Sequence, residues 1–267
     1  MKKNKWVYYS SNNKKVGLIM DNQKRIITIA TPKGGTGKST LVETLAVEAA
    51  YQGLKVLIFD CDNIGSTTNF IIRRNELIQD LIDNGEEPIP EITQVSKSPD
   101  VKDPRRAILA FADDYDLILI DNRGGAEFEF QCTAMIADIV LHPVSSSDKE
   151  VEQLPRFIES IKKVNQDMLI VDPESDGIDV RVVLNKVSHH CRSEYSALRD
   201  VIRTDYRPYL SLSSSEYPDK KIFTKTGHGL TVSDRKMPER ACVQLLLDEI
   251  FDKRPVASKR DPSLLEG

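Results

Sequence analysis

The stretch Thr31-Pro32-Lys33-Gly34-Gly35-Thr36-Gly37-Lys38-Ser39-Thr40 constrains this chain more than any other. An apolar run (Ile26, Ile27, Ile29, Ala30) leads into it, and Leu41, Leu45, Ala46 and Ala49 follow at spacings of three and four. Those periods predict a strand before the glycines and a helix after them. Gly34, Gly35 and Gly37 let the backbone wrap around an oxyanion, because no Cβ blocks the approach or the positive φ angles. The helix beginning near Lys38 turns unpaired N–H groups and its positive dipole end toward the same point. Lys38 adds a full charge suited to β- and γ-phosphates, and the Ser39 hydroxyl suits Mg²⁺. Strand, turn and helix predict a nucleotide-phosphate loop made by Gly34, Gly35, Thr36, Gly37, Lys38, Ser39 and Thr40.

The strict form of this motif has a glycine where this chain has Pro32, and a second lysine, Lys33, precedes the glycine pair. The variant Lys-Gly-Gly-x-Gly-Lys-Ser resembles the deviant Walker A ATPases: the ParA/Soj partition proteins, MinD and the nitrogenase iron protein group. The ParA type is the nearest resemblance, running from about Arg25 to Phe251. It implies that Lys33 reaches across a nucleotide-sandwich homodimer to the partner's ATP.

Lys55-Val56-Leu57-Ile58-Phe59-Asp60-Cys61-Asp62 reads as a buried parallel strand delivering acids to the edge of a sheet. It resembles the family's apolar strand followed by Asp-x-Asp. That match implies that Asp62 positions the attacking water and that Asp60 supports Mg²⁺; capping of the next helix is the other reading of these acids. Asn63 and Ile64 depart from the family's usual continuation, whereas Gly65 and Ser66 fit it. Asp116-Leu117-Ile118-Leu119-Ile120-Asp121 repeats the pattern, and Asp121 holds the place of a Walker B aspartate that reaches Mg²⁺ directly or through water. Gly124 completes Asp-x-x-Gly, a switch-like turn. Many relatives read Asp-Thr-Pro-Pro here, and Arg123 is either a charge reader or a surface residue. Asp179 to Lys186 is a further strand; its Asn-Lys end resembles the base-reading position of phosphate-loop NTPases, which implies that Asn185 bonds to adenine.

Other elements follow from pattern alone: helices over 69–84, from Pro104 to about Asp113, from Ser145–Asp148 to about Val164, from Ser193 to about Arg203 and from Pro238 to Phe251, with strands over 92–95 and 138–144. Segments 213–217 and 220–223 are candidates for a last strand. His142 inside its strand reads as structural. His189, His190 and Cys191 lack a spacing that would hold a metal.

Net charge is −4, so the whole molecule is not a basic nucleic-acid binder, yet its ends differ from its middle. Residues 1–24 form a basic extension, either an edge hairpin or an arm whose aromatics and lysines meet phosphates. Lys220, Lys221, Lys225, Arg235, Lys236 and Arg240 cluster late, and 253–267 is a basic tail. In ParA proteins such residues grip DNA without sequence preference. The tail does not resemble the membrane-seeking amphipathic helix of MinD. The four cysteines lie apart without metal spacing, and no apolar run is long enough to span a bilayer. A cytoplasmic, nucleoid-associated protein without membrane attachment is the expectation.

The fold expected is α/β: a doubly wound, mostly parallel sheet with helices on both faces, in one ATPase domain over 25–252. The resemblance implies a weak Mg²⁺-dependent ATPase that dimerises on ATP, binds non-specific DNA and is stimulated by a ParB-like adaptor while it segregates plasmid or chromosomal cargo. Rival readings are a conjugation accessory ATPase, a MinD-like positioning ATPase, an iron–sulfur carrier, and a small-molecule ligase or kinase. Lys33 speaks against the last, and the lack of a suitable cysteine pair against the carrier.

Overall fold

The computed structural model describes residues 24–62, 65–224 and 228–265. The basic extension up to Gln23, with its hairpin or arm, lies outside the described residues, as do Asn63, Ile64 and Lys225.

Among the described residues the strands form one seven-stranded sheet in the order β3-β2-β4-β1-β5-β6-β7. They are β1 (Arg25–Ile29), β2 (Val56–Asp60), β3 (Thr93–Ser96), β4 (Leu117–Asp121), β5 (Ile139–Val144), β6 (Val180–Val187) and β7 (Leu210–Pro218). Every pairing in the sheet is parallel. An isolated antiparallel bridge, Leu212 with Ser258, lays the tail along β7. The sheet alternates faces as a pleat requires. In β4, Leu117 and Leu119 join a core with Leu41, Leu45 and Leu246, while Ile118 and Ile120 join Leu57, Phe59 and Ile108 on the other face. Both faces are covered by helices, so the strands read as unbroken apolar runs.

Helices α1 (Lys38–Tyr51), α2 (Ser66–Asp83), α3 (Arg105–Leu109), α4 (Glu127–Ala134), α5 (Asp148–Val151), α6 (Leu154–Val171), α7 (Arg192–Thr204), α8 (Lys221–Thr224) and α9 (Arg240–Ile250) make the connections. Several expectations need correction. The helix from Pro104 stops at Leu109, not Asp113; Phe111 and Ala112 donate back three residues, to Ile108 and Leu109, in tight turns. The helix expected from Ser145–Asp148 to Val164 is two helices. Pro155 sits in the first turn of α6, where its missing N–H costs nothing, and α6 continues to Val171. Segment 220–223 is not strand: Lys221–Thr224 is helical. Helix α4 had no strong period to announce it.

Connections from β1 run to one side through β2, β3 and β4 and to the other through β5, β6 and β7. The C-terminal end of β1 lies at that reversal, the place where open α/β sheets hold ligands.

Candidate functional site

The loop after β1 is shaped for an anion. Gly35 and Gly37 have φ of 82° and 91°, the left-handed region that a side chain disfavours. No side chain caps α1, which starts at Lys38, and no acid lies in its first turn, so the helix-start N–H groups face the loop uncapped. Inside the loop, Thr31 donates to the Lys33 carbonyl at 2.6 Å and Thr36 donates to the Thr31 hydroxyl at 3.1 Å. Lys38 is buried at 6% exposure, whereas Lys33, Gly34 and Gly35 stand exposed at the loop's apex. Ser39 and Thr40 are half-buried in the first turn of α1.

Parallel register brings the acids to the same edge, with Asp60 and Ile29 both paired beside Asp121. Asp121 is 1% exposed, and neither carboxylate oxygen has a hydrogen-bond partner of ordinary geometry among the described residues. Burial pushes its pKa up to about 7; the Ser39 hydroxyl beside it and the Lys38 charge pull it down, while Asp60 and Asp62 add to the rise. A buried carboxylate with little besides a serine hydroxyl and a lysine charge to satisfy it fits a divalent cation. Asp60 differs: its carboxylate accepts from Thr67 at 2.7 Å, Thr68 at 2.9 Å and the Asp62 N–H at 2.9 Å. It therefore anchors the start of α2 and orients the half-buried Asp62 as the chain turns away.

Asn185 reaches the loop from the end of β6. Its amide donates to the Thr36 carbonyl at 2.7 Å and accepts from the Lys186 N–H at 2.9 Å, so it holds the loop. Lys186, at φ 56°, lays its ammonium 3.3 Å from the Gly35 carbonyl. Tyr195 latches this turn through the Asn185 and Lys186 carbonyls. Sequence reasoning gave Lys186 no role beyond its place in the Asn-Lys pair and did not single out Tyr195; the left-handed turn that brings them in has no glycine to mark it. His142 is structural as expected: it donates to the Ala30 carbonyl at 2.8 Å and stacks on Phe157 at 3.9 Å.

The turn after β4 is pressed onto the loop. A Cβ on Gly124 would lie 2.7 Å from the Gly34 nitrogen, and Gly125 N–H points at the Thr31 carbonyl at 3.4 Å. Arg123 projects its side chain into solvent.

The family model for the CobQ/CobB/MinD/ParA nucleotide binding domain matches residues 27–219, strand β1 through the end of β7. This chain belongs to that nucleotide-binding family. It is 26% identical over 184 residues to the "Probable plasmid-partitioning protein ParA" of Thermus thermophilus, covering 60% of this chain and 57% of that protein. It is 28% identical over 159 residues to the septum site-determining protein MinD of Helicobacter pylori, covering 51% and 59%. The chain thus spans a little over half the length of these curated relatives. Among solved structures, MinD of Aquifex aeolicus superposes with a TM-score of 0.62 at 20% identity, over 88% of this chain and 100% of that one, a likeness of fold.

Among the described residues, several of the late basic side chains expected to grip DNA are engaged within the chain. Lys220 pairs with Glu239, Arg240 with Glu48 at 2.6 Å, and Arg260 donates to the Gly177 carbonyl at 3.1 Å. At the opposite end of the sheet, Arg25 and Arg181 pair with Asp138, Asp179 and Asp252. Exposed Lys253, Arg254 and Lys259 line the same groove. No helix of the described residues is long and apolar enough to cross a membrane.

Proposed function

We propose that this family member is a Mg²⁺-dependent ATPase that forms an ATP-bound homodimer, binds DNA without sequence preference, and segregates plasmid or chromosomal cargo with an adaptor protein. The observation that carries the reading is Asp121, buried with only the Ser39 hydroxyl and the Lys38 charge beside it, at the foot of a loop whose apex presents Lys33 to solvent. Ser39 and Asp121 would hold Mg²⁺, which supplies charge neutralisation between phosphate oxygens. The N–H groups of Gly34 to Thr40 bind the phosphates, and Lys38 adds charge from below. Asp62, oriented through Asp60, holds the attacking water and takes up its proton. Lys33 adds charge in trans across the dimer. Such a site works by positioning and charge, so hydrolysis is slow until a partner completes it.

Exposed Arg254 and Lys259, clear of the nucleotide edge, support contact with a polyanion. The deciding experiment titrates salt against binding to random duplex DNA with ATP, with ADP and for Lys33→Ala. Binding that needs ATP and Lys33 and fades steeply with salt is expected, because each phosphate contact releases counterions. Absence of binding at low salt in every nucleotide state overturns the partition reading. The match to MinD favours a second reading, a membrane-cycling positioning ATPase. ATP-dependent sedimentation with anionic liposomes would select it.

A further inference from the structure

Helix α4 begins beside the Asp121–Gly125 turn, and its Glu129 has a double engagement that no helix-capping role requires. The side chain is 10% exposed. One carboxylate oxygen accepts the Arg123 N–H at 3.2 Å. The other lies 3.5 Å from the ammonium of Lys97, itself 11% exposed. Lys97 follows β3 directly: its N–H donates to the Asp60 carbonyl at 2.8 Å, and its ammonium also donates to the Val101 carbonyl at 3.0 Å. A single carboxylate therefore joins the strand end that carries Asp60 and Asp62 to the turn that follows Asp121.

That turn has little freedom to shift. Gly124 is packed against Lys33 and Gly34, close enough that a Cβ would meet the Gly34 nitrogen at 2.7 Å and the Lys33 carbonyl carbon at 2.9 Å. The bond to the Arg123 N–H pins the Asn122–Arg123 peptide, so the turn reaches Gly124 and the loop apex from a held point.

We infer that Glu129, steadied by Lys97, is a positioning residue that aims the Asp121–Gly125 turn and so tunes the response to a γ-phosphate. This rests on the ATPase reading above. The test compares the full chain with Glu129→Ala, Glu129→Gln and Lys97→Met, measuring ADP affinity, affinity for a non-hydrolysable ATP analogue, kcat, KM and the thermal midpoint. Glu129→Ala is expected to lower kcat and analogue affinity by about tenfold, the scale of one lost charge-assisted hydrogen bond, and to leave ADP affinity within about twofold. Glu129→Gln restores most of the loss, because its amide oxygen still accepts from Arg123. Lys97→Met lowers kcat by about threefold with ADP affinity unchanged. Should Glu129→Ala fail to fold, Lys97→Met and Glu129→Gln decide. Unchanged kcat in Lys97→Met, or losses for ADP and analogue that are equal and follow the thermal midpoint, overturn the inference. A wild-type chain that binds ADP and the analogue alike but never hydrolyses ATP removes the ATPase reading itself, and the inference with it.

Discussion

The Asn185 amide nitrogen lies 2.5 Å from where a Cβ on Gly37 would stand, and it donates to the Thr36 carbonyl at 2.7 Å. Loop and strand end are therefore one unit. Asn185→Ala is expected to weaken nucleotide binding by up to about tenfold, the worth of a part-buried hydrogen bond. Asn185→Asp should be worse than Ala, because a carboxylate oxygen would face the Thr36 carbonyl. Titration with a fluorescent nucleotide ranks the two, and equal affinities would remove the clamp.

Gly34 offers a contrast between packing and ligand approach. A Cβ there meets no heavy atom within 4 Å, and its φ is not positive. Gly34→Ala should leave the thermal midpoint of the nucleotide-free protein unchanged and reduce ADP affinity at least about tenfold, since only an incoming phosphate needs that space. Calorimetry with and without ADP measures both; undiminished affinity would place the phosphates elsewhere.

His142 makes stability acid-sensitive. Burial pulls its pKa down from 6.5 to about 4, against the pull of its bond to the Ala30 carbonyl. The unfolded chain then binds the proton more readily than the folded one between those values. Stability is full above about 6.5 and falls as pH drops toward 4, by on the order of 2 kcal/mol between pH 7 and pH 5 from this group. His142→Asn, which keeps a donor but does not titrate, should flatten the slope of urea midpoints over that range.

Arg74 and Asp234 form an ion pair with side chains 0% and 2% exposed. Arg74 also donates to the Pro90 and Gly229 carbonyls, while Asp234 accepts from Thr231 and Tyr51. Removing either partner strands the other charge, so Arg74→Ala or Asp234→Ala should cost about 3–5 kcal/mol in chemical denaturation. The double variant should cost clearly less than the sum, and additive losses would show that the pair does not couple.

Much of this molecule is written locally. Apolar runs ending in Asp60, Asp121 and Asn185 announce strands because a parallel sheet buries both faces, and the glycines of 34–37 announce an anion loop because their backbone freedom is intrinsic. Local pattern failed where neighbours decide. Pattern reading ran past the break between Val151 and Leu154 and the end of α3 at Leu109, and it read strand where Lys221–Thr224 is helical.

The sequence alone determined the strand–loop–helix unit, the set of acids and the family to which they belong, since each follows from a residue's own period, charge or φ range. Only the tertiary structure decided what each group faces. Strand register left Asp121 buried with little beyond the Ser39 hydroxyl and surrounded Asp60 with donors. It also drew Asn185 onto the loop and tied Arg123 through Glu129 to Lys97. Those roles depend on contacts between residues far apart in the chain, and no local pattern carries such information.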